Sequence, residues 1–129
     1  MNVLGVQIYS QQKEVLERFL IDVLEMETGL EEDASITLSF QNLEFKITQE
    51  KKKKKTNASY QKTNLEFTVK NKEELTDLQK KISFHNYRYK QVPSTLIPIE
   101  EINGLCQLSF RDPDGRVWLF KIEDELANK

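Results

Sequence analysis

A disulfide framework is excluded at once: among 129 residues there is a single cysteine, Cys106, and a lone cysteine cannot form an internal bridge. There is likewise one histidine, His85, so no Cys/His set with zinc spacing can be assembled. The four glycines form no Gly-rich phosphate loop. No apolar run approaches the ~20 residues that a membrane-spanning helix needs. The opening MNVLGVQIYS has no basic segment followed by a long apolar core, so a secretory leader is not expected. Together these absences lead us to expect a cytoplasmic protein. Without export, Asn57-Ala58-Ser59 is a chance match to a glycosylation acceptor.

What is present is charge, unevenly placed. Charged residues make up 31% of the chain and the formal net charge is −2. Between Lys46 and Lys90 there are 13 Lys and Arg against 5 Asp and Glu, and elsewhere 6 against 16. Most of the central excess comes from Lys51–Lys55. Like charges repel, so such a run reads as a solvated loop that divides the chain. Its functional alternative is an interaction or nucleic-acid patch, although no aromatic or Arg pattern accompanies the lysines, which makes nucleic acid an unfavoured partner.

The two halves share one plan. At an offset of 59 residues, GVQIYSQQKEVLERFL lies over NLEFTVKNKEELTDLQ, matching Ile8 with Phe67, Leu16 with Leu75 and Phe19 with Leu78. Each segment alternates as a strand and then switches to helical spacing. In the first helix Val15, Leu16, Phe19, Leu20, Val23 and Leu24 form an apolar stripe; in the second Leu75, Leu78 and Ile82 form a narrower one. Ser10 and Asn71 stand at N-cap positions, the latter with Glu74 three residues on. Each half closes on a repeated phrase, LSFQNLEFKI (38–47) and LSFRDPDGRVWLFKI (108–122), which alternates as a hairpin. In the second, Asp112-Pro113-Asp114-Gly115 is a turn signal. A further strand is expected between helix and hairpin, near Met26–Leu30 and near Tyr87–Val92. The fold class is therefore α+β: two tandem βαβββ modules, about 3–49 and 63–122, joined by a Lys-rich loop of about 50–62 and counted as one domain.

The segment from Gly104 to Gly115, with its short strand and DPDG turn after a strand–helix unit, resembles the vicinal oxygen chelate superfamily of glyoxalase I, bleomycin-resistance proteins and extradiol dioxygenases. Phe19 and Leu24 match the aromatic-then-Leu pattern of that family's first helix, whereas Glu25 stands where glycine is usual. The resemblance runs from about Val3 to Ile122. It implies one curved mixed sheet whose strands enclose a cleft, with the helices on the convex face, and it implies pairing into a homodimer.

Alternation assigns the faces. Val6, Ile8, Ile36, Leu38, Phe40, Leu43, Phe45, Ile47, Leu65, Phe67, Val69, Cys106, Leu108, Phe110, Trp118, Phe120 and Ile122 share the parity that should pack on the helices. This makes Cys106 an expected buried, inert thiol and Trp118 a core residue. The other parity carries Gln7, Glu44, Lys46, Asn64, Glu66, Gln107 and Lys121, which under the resemblance line the cleft and are the candidate ligand-binding residues. Glu44, Glu66, Lys46 and Lys121 are also placed to neutralise one another.

Enzymes of the resembled family hold a divalent metal with two first-strand and two last-strand groups. Residue by residue these fall on Gly5, Asn64, Glu44 and Leu119. Only Glu44 is a suitable donor, since glycine and leucine offer none and an amide is a poor primary ligand. A two-residue register shift would instead bring Gln7, Glu44 and Glu66 together. His85 reads as an exposed loop residue after the second helix. The expectation is thus a protein that binds a small polar ligand with no cofactor. The alternatives are a metal-dependent lyase, isomerase or dioxygenase, and an interaction protein acting through Lys51–Lys55.

Overall fold

The computed structural model describes residues 5–50, 64–90 and 97–123. The Lys51–Lys55 run, the Asn57-Ala58-Ser59 tripeptide and almost all of the expected linker lie outside them. The chain divides into two compact units, and each is a βαβββ module.

The first unit consists of β1 (Gly5–Ser10), α1 (Lys13–Leu24), β2 (Glu27–Glu31), β3 (Ser35–Phe40) and β4 (Leu43–Gln49). Its sheet has the order β1-β4-β3-β2, with β1 parallel to β4 and the remaining pairs antiparallel. Period-two alternation puts Ile8, Ile36, Leu38, Phe45 and Ile47 on the buried side, where Leu16, Phe19, Leu20, Val23 and Leu24 of α1 are buried too. Each of these side chains contributes about 1.5–3 kcal/mol by leaving water. Val15 was expected in the same stripe but is 47% exposed. It lies one residue off the Leu16–Leu20–Val23 row and flanks the buried face.

The start of α1 also differs from expectation. Ser10 does not cap the helix; its Oγ accepts a hydrogen bond from the Gln12 N–H at 3.0 Å, before the first turn. The cap is Gln49 of β4, whose Oε1 accepts from the Lys13 N–H at 2.9 Å. Its Nε2 donates to the Gln11 carbonyl at 2.9 Å and the Glu50 carbonyl at 3.0 Å. A cap that arrives from 36 residues away leaves no local signature.

At the other end, Glu25 closes α1 in the left-handed region, with φ 54° and ψ 39°. That conformation costs a side-chain-bearing residue ~1–2 kcal/mol, whereas glycine adopts it freely. Glycine's extra freedom in the unfolded chain takes back ~0.4–1 kcal/mol. Glu25→Gly should therefore stabilise the protein by about 0.5–1 kcal/mol. Urea unfolding measures this, and a loss of stability would show that the Glu25 side chain contributes more than its backbone costs.

The second unit repeats the plan with β5 (Asn64–Val69), α2 (Lys72–Lys90), β6 (Glu100–Ile102), β7 (Leu105–Arg111) and β8 (Val117–Ile122), in sheet order β5-β8-β7-β6. Leu75, Leu78, Ile82, Leu108, Phe110, Trp118 and Phe120 form its core. Phe67 stacks on Trp118 and Phe120 with centroids 5.8 and 5.1 Å apart, and Phe110 stacks on Phe120 at 5.8 Å. Asn71 caps α2 as expected: its Oδ1 accepts from the Glu74 N–H at 3.1 Å, while Glu74 Oε2 accepts from the Lys70 N–H at 2.6 Å.

Two expectations fail in this unit for one reason. α2 continues to Lys90, so Tyr87–Lys90 is helix rather than the start of a strand, and Gln91 and Val92 lie outside the described residues. No glycine or proline interrupts residues 72–90, and the next breaker is Pro93. With the helix prolonged, His85 falls on its inner side in line with Leu78 and Ile82. The imidazole is buried at 3% exposure, 4.8 Å from the Tyr89 ring, and is not a loop residue. The missing strand is β6, which turns into β7 through Asn103-Gly104, both at positive φ (55° and 81°). Asn-Gly is the pair that a two-residue hairpin of this kind demands, so the signal was present in the sequence. Cys106, expected to be buried, is only half-buried, because three-residue β6 is exposed throughout and does not cover that flank.

The Asp112–Gly115 turn is built around one carboxylate. Asp112 Oδ1 accepts from the backbone N–H groups of Asp114 (2.9 Å) and Arg116 (3.1 Å). Its Oδ2 accepts from Arg116 Nη1 (3.2 Å) and Trp118 Nε1 (3.0 Å), and the same Nη1 reaches Asp114 Oδ2 at 3.0 Å. Asp112 and Arg116 are 5% and 3% exposed, so the turn signal hides a buried ionic network tied to the central Trp.

Candidate functional site

The side of each sheet away from its buried residues carries the polar parity, and strand register sets its rows. In the first unit, Gly5 is level with Glu44 and Ser39, Gln7 with Lys46 and Thr37, and Tyr9 with Thr48 and Ser35. Gln7, Glu44 and Lys46 are exposed, and Tyr9 is 49% exposed. The Tyr9 hydroxyl donates to Gln7 Oε1 at 3.1 Å, leaning the ring along β1. In the second unit, Asn64 is level with Val117 and Arg111, Glu66 with Leu119 and Ser109, and Thr68 with Lys121 and Gln107. Lys121 Nζ lies 3.6 Å from Glu66 Oε2, with both side chains about half exposed. Such a pair is worth ~0–1 kcal/mol and compensates charge more than it stabilises.

The seven candidate residues lie on the polar rows, Gln7, Glu44 and Lys46 on the first sheet and Asn64, Glu66, Gln107 and Lys121 on the second. The rows correct one detail. The repeated phrase makes Lys46 equivalent to Lys121 and Glu44 to Leu119. Glu44 is level with Gly5, but Leu119 is level with Glu66 rather than with Asn64. Relative to its hairpin, β5 is displaced by two residues from the place of β1. A two-residue step preserves alternation and is therefore invisible to parity.

These rows test whether the residues present suit a metal. The level pair Gly5 and Glu44 supplies one carboxylate, and the pair Glu66 and Leu119 supplies one. In the alternative set, Gln7 is level with the Lys46 ammonium, its Oε1 is already taken by Tyr9, and Glu66 is engaged by Lys121. A catalytic centre normally takes three protein ligands. Among the described residues, no three His, Cys, Asp or Glu side chains come together. Among the described residues of either unit, no donor set fits a resident catalytic metal.

Sequence reasoning did not single out a depression of about 310 Å³ in the first unit, at the first turn of α1. It is lined by Gln12, Lys13, Glu14, Val15, Asp33 and Gln49. Its wall is the cap made by Gln49, which is why no local pattern announced it. It lies apart from the polar rows.

No protein-family model and no curated protein matches the sequence. Solved structures do match in fold. The chain is similar to a glyoxylase/bleomycin resistance protein/dioxygenase domain from Frankia sp. EAN1pec, with a TM-score of 0.73 at 14% identity over 96% of this chain and 98% of that one. A glyoxalase-related enzyme from Fulvimarina pelagi gives 0.71 at 14% identity, covering 95% and 88%. Lactoylglutathione lyase from Agrobacterium tumefaciens gives 0.63 at 16% identity, covering 94% and 92%. The chain shares the fold of these glyoxalase- and dioxygenase-like structures. At such identities the likeness is one of architecture, and the activities named belong to those proteins.

Proposed function

We propose that this chain is a cytoplasmic protein of the glyoxalase/bleomycin-resistance/dioxygenase fold that binds a small polar ligand on its polar sheet face without a resident metal. The observation that carries this reading is the filling of the rows. Gly5 and Leu119 stand where a donor would be needed, while Gln7, Glu44, Lys46 and Gln107 leave amide, carboxylate and ammonium groups on the same faces. Hydrogen bonds and charge, rather than a Lewis acid, are what those groups offer a ligand. The metal-dependent lyase, isomerase or dioxygenase reading needs a third donor on one face.

The test is thermal unfolding of metal-stripped protein titrated with Ni²⁺, Zn²⁺, Mn²⁺, Fe²⁺ and Mg²⁺. A specific ion at ~100 times its dissociation constant adds roughly 2.7 kcal/mol and raises the midpoint by several degrees. The expected result is no such shift with any of the five. A shift that Glu44→Ala removes would overturn the metal-independent reading in favour of the enzyme. Small carboxylates, amides and amines are then screened by amide chemical-shift mapping. Perturbations are expected at Gln7, Lys46, Gln107 and Lys121.

A further inference from the structure

The C-terminal half of α2 carries a surface that the ligand reading does not use. Leu75, Leu78, Ile82 and His85 are buried on the inner side of the helix, while Phe84 and Tyr87 stand outward at 63% and 64% exposure. Residues three apart on a helix are neighbours, so these two rings form one patch. At 100° per residue, Lys80 and Arg88 flank them on the same outward arc, and both are exposed. The Arg88 guanidinium stands 5.2 Å from the ring centroid of Tyr89, which is itself 38% exposed.

Charge is sorted along the same helix. Residues 72–77 hold Glu73, Glu74 and Asp77 against Lys72, whereas residues 78–90 hold Lys80, Lys81, Arg88 and Lys90 and no Asp or Glu. The helix dipole favours acids in the first turn and cations in the last, and its influence fades within those turns. It therefore does not account for Lys80 and Lys81, which stand in mid-helix, nor for two large aromatics held in water. A single exposed aromatic is ordinary, but an adjacent pair rimmed by cations is a contact surface. Aromatics together with arginine are the side chains enriched at the centres of interfaces.

We propose that this half of α2 is a docking face for an acidic peptide segment of another protein. The segment sets apolar side chains against Phe84 and Tyr87 and carboxylates against Lys80 and Arg88. Charge complementarity fixes the sign of the partner, and the size of the patch fixes its class. From Lys80 to Arg88 the helix axis advances about 12 Å, the length of roughly two turns of a helical segment laid alongside. With charges screened beyond ~8–10 Å, a segment of that size meets only the cationic face. A nucleic acid or a membrane extends past it and meets the rest of a chain whose net charge is −2.

Fluorescence anisotropy on the full chain tests the proposal. The probe is a labelled synthetic peptide with Leu at i, i+3, i+4 and i+7 and Asp or Glu at its other positions. It should bind, and raising NaCl should weaken the binding. Two companion peptides, one with every acid replaced by Lys and one with every Leu replaced by Ser, should each bind at least about tenfold more weakly. Lys80→Glu with Arg88→Glu should abolish binding of the acidic peptide. Phe84→Ala with Tyr87→Ala should weaken it by about tenfold or more and leave its salt dependence unchanged. All four side chains are exposed, and circular dichroism checks that both variants fold. An acidic peptide that does not bind, or binding that survives either pair of substitutions, would overturn the proposal. Tighter binding of phosphatidylserine vesicles or of a labelled oligonucleotide, lost in the charge variant, would overturn it in favour of a membrane or a nucleic acid. A mass by light scattering that falls to the 15.2 kDa of one chain only in the variants, with no peptide bound by the wild type, would assign the face to a second copy and equally overturn it.

Discussion

Asp112→Ala is expected to destabilise the protein by about 3–5 kcal/mol, the cost of removing from a buried network the carboxylate that a guanidinium, an indole and two backbone N–H groups share. Four donors converge on that carboxylate: two turn N–H groups, the Arg116 guanidinium and the Trp118 indole. Alanine takes from Arg116, at 3% exposure, one of the two carboxylates it pairs with, Asp114 being the other, and takes from the fully buried Trp118 the carboxylate to which its indole N–H donates. The N–H groups of Asp114 and Arg116 lose their acceptor as well, each at ~1–3 kcal/mol less any contact with water. Urea unfolding reads the cost as a lower midpoint at unchanged slope. Asp112→Asn separates the contributions: the amide oxygen still serves the turn, but the charge opposite Arg116 is gone. It should cost less than alanine. A loss below about 1 kcal/mol for Asp112→Ala would show that water replaces the carboxylate and that the network is not buried in solution.

Phe110→Ala is expected to cost about 3–5 kcal/mol, the range for removing a large aromatic ring from a packed core. Phe110 is 5% exposed and stacks on Phe120, which in turn stacks on Phe67. The rings therefore form a connected column, and the space left by Phe110 is bounded by rigid groups that collapse poorly. Phe67 is only half-buried, so Phe67→Ala should fall at or below the low end of the same range. The order of the two is itself a check: a larger loss at Phe67 would mean that the edge of the sheet is covered more fully than this structure shows.

The duplication was legible because it is written in periodicity. Val6 and Ile8, or Phe45 and Ile47, report a half-covered strand by alternation alone, and Leu16, Phe19, Leu20 and Val23 report a helix face. The candidate site was legible to the same extent and no further. Parity sorted Gln7, Glu44, Lys46, Asn64, Glu66, Gln107 and Lys121 onto the outward faces. Parity is blind to a step of two, so it set Asn64 beside Leu119 where Glu66 stands. The end of α2 was missed for a different reason. Tyr87 and Tyr89 are of a residue type with high strand propensity, but with no breaker before Pro93 the helix runs on through them to Lys90.

The sequence by itself determined the two βαβββ modules, the face of each strand and the cap of α2, because all of these depend on residues within a turn or two of one another. Only the tertiary structure decided what depends on distant partners. Gln49 caps α1 from β4. The Asp112 carboxylate reaches past its own turn to the Trp118 indole. The register of β5 on β8 places Glu66 level with Leu119. His85 is buried because α2 runs long enough to turn it inward. Local chemistry repeats along a chain and can be read there, whereas the choice between equally alternating registers, or between caps of similar chemistry, is made by whichever groups the packed sheet brings within hydrogen-bond reach.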